Sequence, residues 1–302
     1  MTPTAARLET GYAGAFAALC AGAVAMGISP IFVRFAAAAE IGPFASAFWR
    51  VALALPVLYA WMRVEENGGR TGPLVTGASV LAGLAFAGDL FFWHLAILNT
   101  TVANATFFAT TAPIFVILIV WLVLRQRVAG STWLGLVLCL AGGAALIGQS
   151  LQVDPARIRG DLYGIATAFF FGLYFLAVGR ARRNGGAARV TFVASVITAA
   201  VLFVVAALFD TRVLPTSRDG ILALLAMAFI SHAGGQGLLA IALGRLPATF
   251  SSLVIFLEAI AAAAFAWAIL GEHLTLVQML GGALILYGIW VARPRPDKEL
   301  LR

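Results

Sequence analysis

Ten apolar runs, each about as long as a lipid bilayer is thick, divide the sequence from end to end. A helix that spans a bilayer needs roughly 20 mostly apolar residues. The runs are Gly11–Phe35, Phe44–Met62, Leu74–Leu98, Val102–Leu124, Thr132–Gly148, Gly160–Val178, Val190–Phe209, Gly220–Leu243, Ala248–Leu270 and Leu276–Ala292. Because short polar breaks separate them and no soluble domain fits between them, the sequence predicts an all-α integral membrane protein with ten transmembrane helices.

The composition excludes a water-soluble globular protein. Apolar residues make up 62% of the chain and charged residues 11%, whereas roughly 25% of the residues in soluble domains are charged. The mean hydropathy of +0.98 is an average over the chain, so the apolar excess is not one local anchor. The formal net charge of +7 does not indicate nucleic-acid binding, because the arginines lie in loops and form no dense basic face.

The first apolar run and the two cysteines have ordinary structural interpretations. Gly11–Phe35 is longer than the roughly 7–15 residues of a signal-peptide core, and we interpret it as a retained first helix. Cys20 and Cys139 each lie inside an apolar run, where a free cysteine behaves as a small apolar residue. Two separate cysteines make no zinc-ligand pair, so we expect no metal and no cofactor.

A segment from Ala112 to Ala145 recurs from Glu258 to Val291, 146 positions later. Both copies predict a helix, a short polar turn and a second helix. The matching pairs are Ile114/Ile260, Trp121/Trp267, Leu124/Leu270, Leu134/Leu280, Gly135/Gly281, Leu138/Leu284, Leu140/Leu286 and Gly142/Gly288. Internal repeats determine architecture, so we expect two related halves, residues 11–149 with helices 1 to 5 and residues 160–292 with helices 6 to 10.

The charges of the loops orient these halves. With the N-terminus in the cytoplasm, fourteen Lys and Arg residues lie on the inner side and five on the outer side, as the positive-inside rule requires. The outer five are Arg34, Arg157, Arg159, Arg212 and Arg218. Because each half has an odd number of helices, helix 6 starts on the side opposite to helix 1. The sequence therefore predicts two inverted five-helix repeats with both termini in the cytoplasm.

Inverted repeats are a common plan of secondary transporters, whose substrate site lies near the bilayer midplane where the halves meet. The chain contains no G-x-x-x-x-G-K-[ST] sequence for ATP, and neither H-E-x-x-H nor G-x-S-x-G. A membrane enzyme would need a catalytic cluster of this kind, so we predict a transporter and not an enzyme. A channel or passive facilitator stays open as an alternative.

Several of these positions also resemble a known family. They are Pro113, Gly135, Gly142 and Arg50 in the first half, and Leu257-Glu258-Ala259, Leu270-Gly271-Glu272, Gly281 and Gly288 in the second. The pattern is similar to the EamA-type ten-helix members of the drug/metabolite transporter superfamily, over residues 11 to 292. The chain departs from that pattern at Gln126, where the family often has Glu, and at Ala259, where Pro is common.

The resemblance implies a central cavity lined by helices 1, 3, 4, 6, 8 and 9, with helices 2, 5, 7 and 10 in support. Within the superfamily the chain is most similar to the amino-acid and metabolite exporters, and there to the YddG-like exporters of aromatic amino acids. We therefore expect export of aromatic or hydrophobic amino acids and related small amphipathic metabolites by alternating access. Export of cationic drugs or other metabolites is the alternative.

Ionisable residues inside the apolar runs are the first candidates for the site, since inserting each costs roughly 2.5–3.5 kcal/mol. Glu258 is interpreted as a substrate-ammonium contact, as a proton-coupling carboxylate, or as an internal helix lock. Asp89 fits either a clamp with Arg50 or a substrate contact. His94 and His232 are cavity candidates. The alternative for His94 is an interfacial position, and the alternative for His232 is a bond to a neighbouring carbonyl.

Uncharged polar and aromatic side chains complete the predicted substrate site, namely Trp93, Asn104, Phe108, Tyr174 and Gln236. Aromatic rings stack with aromatic ligands and attract cations, and Trp93 and Tyr174 also carry a polar group. Packing is the alternative role for all of them. Pro30 and Pro113 each remove a backbone hydrogen bond, which makes them candidates for hinges or for static bends.

The remaining expectations concern partners and location. We expect a small-molecule substrate and the lipid bilayer as partners, no nucleic acid, and a monomeric protein. The expected location is a bacterial-type cytoplasmic (inner) membrane.

Overall fold

The structure is a computed structural model, and the residues that it describes are 3–69, 73–100, 102–147, 157–271 and 273–294. Helices dominate the described chain, and no β-strand occurs within these ranges. The all-α fold predicted from the apolar runs is therefore confirmed. Outside the described residues lie Glu272 of the family-like motif and the loop residues Arg70, Arg295, Lys298 and Arg302.

In the described residues, ten helices, α1 to α10, correspond one to one to the predicted apolar runs. The continuous ones are α3 (Gly77–Asn99), α5 (Gly130–Ile147), α6 (Ile158–Ala181), α7 (Ala187–Phe209) and α10 (Leu276–Val291). The interrupted ones are α1 (Pro3–Met26, Ser29–Ala38), α2 (Pro43–Ala52, Leu55–Asn67), α4 (Val102–Thr110, Ala112–Leu118, Ile119–Val123), α8 (Arg218–Ala226, Met227–Gln236, Gly237–Leu243) and α9 (Ala248–Val254, Leu257–Leu270).

The helices have the length and polarity of membrane spans. Nine helices in the described part of the chain have at least 18 residues and are apolar enough to cross a membrane. The tenth, α10, has 16 residues. It begins in a capping box, in which Thr275 and Gln278 exchange side-chain and backbone hydrogen bonds, and α3 begins with the same motif at Thr76 and Ser79. These motifs satisfy backbone N–H groups that the first turn leaves unpaired.

The packing of α5 against α10 shows that the two repeats are inverted. Gly135 and Gly142 of α5 correspond in the repeat to Gly281 and Gly288 of α10. A Cβ on Gly142 would lie 2.6 Å from the carbonyl oxygen of Gly281, and a Cβ on Gly135 would lie 2.7 Å from that of Gly288. Gly142 thus contacts the equivalent of Gly135, and Gly135 contacts the equivalent of Gly142. This reciprocal contact requires antiparallel helices related by a two-fold axis that crosses them.

Helices α2 and α7, the other equivalent pair, bind each other through their ends. The carboxylate of Glu65 near the end of α2 accepts a hydrogen bond from the N–H of Ala187 at the start of α7, at 2.8 Å. At the opposite end, the carboxylate of Asp210 after α7 accepts from the N–H of Ala45 in α2, at 2.5 Å. Glycine precedes both helix starts, where a Cβ would collide with the carboxylate. Each helix therefore caps the N-terminus of its partner.

The other six helices surround the centre in equivalent pairs. Helix α3 packs along α6, and its equivalent α8 packs along α1. Helix α4 packs on α6, and its equivalent α9 packs on α1. The two halves therefore meet along α1, α3, α4, α6, α8 and α9, so a site between them has walls from both repeats.

Close packing of α5 and α10 makes a testable prediction for two neighbouring glycines. A Cβ on Gly281 would lie 2.6 Å from the Gly142 carbonyl oxygen, whereas a Cβ on Gly282 has no neighbour nearer than 4.0 Å. We expect Gly281→Ala to lower the free energy of unfolding by about 1–3 kcal/mol, the usual cost of overpacking. The matched variant Gly282→Ala should leave it unchanged or raise it slightly, because alanine favours helices. Thermal unfolding in detergent measures both, and equal effects would contradict the antiparallel glycine contact.

Candidate functional site

A cavity of about 60 Å³ lies where the six central helices meet. Its walls come from α1, α3, α4, α6, α8 and α9, with one further side chain from α2. The lining residues are Met26, Ser29, Pro30, Arg50, Phe86, Asp89, Leu90, Trp93, Thr106, Ala109, Thr110, Thr167, Phe171, Gln236, Ile255 and Glu258. Sites for drug-sized ligands measure roughly 300–1,000 Å³. The cavity is therefore contracted in this conformation and must widen before it encloses an organic substrate.

Arg50 is the cation of the cavity. Its side chain comes from the middle of α2 and is only 6% exposed. Nη2 donates a hydrogen bond to Oγ of Ser231 on α8 at 2.9 Å, and that hydroxyl lies 2.6 Å from Oγ of Ser29 on α1. Within the described chain, Nε of Arg50 is buried without a partner. A buried unpaired donor costs about 1–3 kcal/mol, more when charged, so an acceptor in the cavity would remove that penalty.

Two carboxylates face the same cavity from opposite halves of the protein. Asp89 lies on α3 and Glu258 on α9, and both interact electrostatically with Arg50. Neither forms an ion pair with Arg50 within the described part of the chain, so the clamp between Asp89 and Arg50 is absent from this conformation. Glu258 lies in the first turn of the second segment of α9, where the partial positive charge of a helix N-terminus stabilises a carboxylate.

Interrupted helices surround the cavity. Helix α1 breaks between Met26 and Ser29, and α4 breaks at Thr111; Pro30 and Pro113 each lie in the first turn after the break. A proline fits there because the N–H that it lacks would have no helical partner. Both predicted hinges therefore lie at real discontinuities in the helices.

Helix α9 breaks at the position equivalent to the break in α4, although it has no proline there. The N–H of Glu258 bonds to the carbonyl of Ile255 at 2.8 Å, and that of Ala259 bonds to Phe256 at 3.1 Å. These three-residue spacings are typical of a tight 3₁₀ turn. The departure at Ala259 from the family-like pattern thus leaves the discontinuity in place.

Ten residues of α8, Met227–Gln236, wind as a π-helix. Such windings are rare and are frequently found at functional sites. Residues five apart lie roughly 140° apart around an α-helix of 3.6 residues per turn, whereas the i→i+5 hydrogen bonds of a π-helix bring them to nearly the same side. Ser231 and Gln236 are five apart; Ser231 bonds Arg50, and Gln236 lines the cavity. The π-helix therefore directs both side chains inward.

Six of the predicted residues meet at the cavity, namely Pro30, Arg50, Asp89, Trp93, Gln236 and Glu258. On α3 the lining positions Phe86, Asp89, Leu90 and Trp93 follow helical spacing. That spacing is a signal by which Phe86 could have been predicted. Ser29 and Ser231 carried no such signal, because the bond between them depends on the α1 break and on the π-helix.

The structure places the remaining predicted side chains outside the cavity lining. His94 follows Trp93 and therefore points about 100° away around the helix, where Nδ1 lies 2.7 Å from the Leu90 carbonyl oxygen. Nε2 of His232 lies 2.8 Å from Oγ of Ser195 on α7. Both histidines thus contact neighbouring groups in the bundle: His94 is buried and not interfacial, and His232 contacts a hydroxyl and not a carbonyl.

Four further predicted residues are not among the residues that line the cavity, namely Tyr174, Asn104, Phe108 and Pro113. The Tyr174 ring packs 4.9 Å from the ring of Phe86, which itself faces the cavity. Asn104 donates a hydrogen bond to Asp161 at 3.1 Å. Phe108 packs against α6 at a glycine, where a Cβ would lie 2.6 Å from its own. These side chains therefore support the cavity wall and do not form its surface.

Comparisons with known proteins agree with this architecture. The model of the EamA-like transporter family matches residues 13–148 and again residues 158–293. An uncharacterized transporter of Archaeoglobus fulgidus is 26% identical over 289 residues, which cover 91% of this chain and 95% of the relative. The uncharacterized transporter YwfM of Bacillus subtilis is 29% identical over 238 residues, or 75% of each chain.

A protein of known crystal structure shares the fold, with a TM-score of 0.79 at 18% sequence identity over 94% of this chain and 96% of that one. At this identity the likeness concerns the fold alone. The two family matches cover nearly the whole chain, one for each half. The chain therefore belongs to the EamA-like transporter family of the drug/metabolite transporter superfamily.

Proposed function

We propose that this transporter exports aromatic and hydrophobic amino acids, and related small amphipathic metabolites, by alternating access through the central cavity. The observation that carries the proposal is the combination of groups in one cavity. A guanidinium, Arg50, lies there with two carboxylates, Asp89 and Glu258, and with the aromatic ring of Trp93. A zwitterion with an apolar side chain needs all three kinds of contact.

Each part of an amino acid has a suitable partner. A guanidinium binds a carboxylate through two parallel hydrogen bonds, and Arg50 has a buried N–H that is unpaired within the described part of the chain. Glu258 or Asp89 would accept hydrogen bonds from the ammonium group. The rings of Phe86, Trp93 and Phe171 supply an apolar surface for the side chain. Charges on both sides of the ligand also offset the cost of burying the charges of the protein.

The inverted repeats support a carrier mechanism. If the two halves exchange conformations, the cavity opens first to one side of the membrane and then to the other. The breaks in α1, α4 and α9 beside the cavity give the half-helices freedom to tilt. The charge bias of the loops supports a cytoplasmic membrane location with both termini inside. We propose that a single chain, as a monomer, performs the whole cycle.

Two other functions are the alternatives to amino-acid export. The excess of carboxylates over cations in the cavity favours a cationic drug or metabolite as the substrate. A channel-like facilitator would use the same walls without alternating closure. The direction of transport rests on the resemblance to exporters, because the fold is symmetric with respect to the two sides.

Competition by charge-deleted analogues tests the proposed function. In counterflow of labelled phenylalanine into proteoliposomes, unlabelled phenylalanine should compete best. Phenethylamine lacks the carboxylate and 3-phenylpropionate lacks the ammonium group, so each should compete about tenfold less well, the effect of losing one charge-assisted hydrogen bond. Equal competition by phenethylamine would favour the cation exporter, and flux without counterflow would favour a channel.

Replacement of Glu258 tests its part in this site. Glu258→Gln keeps the shape of the side chain but removes its charge, and we expect counterflow of phenylalanine to fall about tenfold or more. Glu40→Gln is the matched control, because Glu40 is an exposed loop carboxylate that pairs with Arg212. Thermal unfolding checks that both variants fold. Normal transport by folded Glu258→Gln would remove Glu258 from the mechanism.

A further inference from the structure

A chain of buried hydroxyls holds Arg50, the only cation among the described residues that line the cavity. Arg50 on α2 donates to Ser231 on α8 at 2.9 Å, and Ser231 lies within hydrogen-bond distance of Ser29 on α1, at 2.6 Å. The two serines are 2% exposed or less. Three helices are therefore tied together at the point where the guanidinium enters the cavity.

We propose that Ser231 and Ser29 are positioning residues, which aim the Arg50 guanidinium at the carboxylate of the substrate and so set the preference for zwitterions over simple amines. The inference rests on the proposed function, since it assumes that the substrate carries a carboxylate. It adds to that function two residues that determine specificity through Arg50. Of these two, Ser29 lines the cavity and Ser231 does not.

An arginine side chain has considerable conformational freedom. Its long, flexible stem lets the guanidinium take many directions, and binding a carboxylate through two hydrogen bonds requires a single plane and direction. Ser231 fixes one corner of the group by accepting from Nη2, while Nε is buried and has no partner among the described residues. An Nε–H and a neighbouring Nη–H form the fork that fits a carboxylate. Fixing one corner thus leaves a fork for the substrate.

The place of Ser231 depends on the π-helix. Without that winding, Ser231 and Gln236 would lie on different sides of α8, and only one could face the centre. The second serine adds a link to the discontinuous helix α1. Ser29 begins the segment directly after the break and precedes Pro30. Its hydrogen bond therefore fixes the position of Ser231 relative to that half-helix. The direction of Arg50 is therefore set by two irregular backbone elements.

The test compares a zwitterion with its amine in one variant. For Ser231→Ala, we expect the KM for phenylalanine to rise about tenfold, the effect of losing one hydrogen bond to a charged group. The inhibition constant of phenethylamine should stay unchanged, because this amine makes no contact with Arg50. The maximal rate should change little. Ser231→Thr restores a hydroxyl and should restore the preference for phenylalanine.

A matched control and a double variant separate positioning from general damage. Thr198→Val removes an equally buried hydroxyl, which bonds to the Gly83 carbonyl oxygen at 2.8 Å away from the cavity; it should leave the preference unchanged. In an Arg50→Lys background, which lacks the fork, Ser231→Ala should have no further effect on the preference. If Ser231→Ala does not fold, Ser29→Ala carries the same comparison.

The outcomes distinguish the two proposals. If wild-type protein shows no preference for phenylalanine over phenethylamine, the proposed function fails. If the wild type shows the preference and folded Ser231→Ala or Ser29→Ala keeps it, positioning by the serines is overturned. A loss of preference that Thr198→Val reproduces, or one that adds to the effect of Arg50→Lys, would also overturn it.

Discussion

Antiparallel packing of equivalent helices is the constraint on which the rest of the structure depends. Between α5 and α10 the contact is backbone to backbone, through Gly135, Gly142, Gly281 and Gly288. In lipid, where no hydrophobic force drives helices together, small residues provide association by close packing. The same two-fold relation joins α2 to α7 through reciprocal caps. With these pairs in place, the other six helices meet in the centre, where the cavity lies.

The second constraint is the cost of burying charge in that centre. The free-energy cost of placing a charged side chain in hydrocarbon is high, so Arg50, Asp89 and Glu258 need compensating interactions. The hydroxyl of Ser231 satisfies part of the Arg50 guanidinium, and the N-terminal end of a half-helix stabilises Glu258. Compensation is incomplete, since no group in the described ranges of the chain accepts a hydrogen bond from the buried Nε of Arg50. A zwitterionic substrate would complete it, which links the stability of the cavity to its occupancy.

Helix number, the all-α class and the repeat were predictable because hydropathy and periodic glycines are local properties of the sequence. Charged cavity residues were also predictable, since any ionisable group in an apolar run needs a polar environment. The directions in which the His94 and Asn104 side chains point were harder to predict, because a shift of one residue along a helix separates a cavity position from a packing position. The π-helix of α8 and the hydrogen bond between Ser29 and Ser231 depend on contacts between distant segments, which no local pattern encodes.

The most direct test of the account is the accessibility of the cavity from each side of the membrane. In protein without Cys20 and Cys139, the lining variant Ala109→Cys would be exposed to a membrane-impermeant thiol reagent from one side or the other. If the inverted halves alternate around one cavity, the reagent labels this cysteine from both sides, and phenylalanine slows labelling from each. Labelling from one side alone, or labelling that the substrate does not affect, would contradict the account.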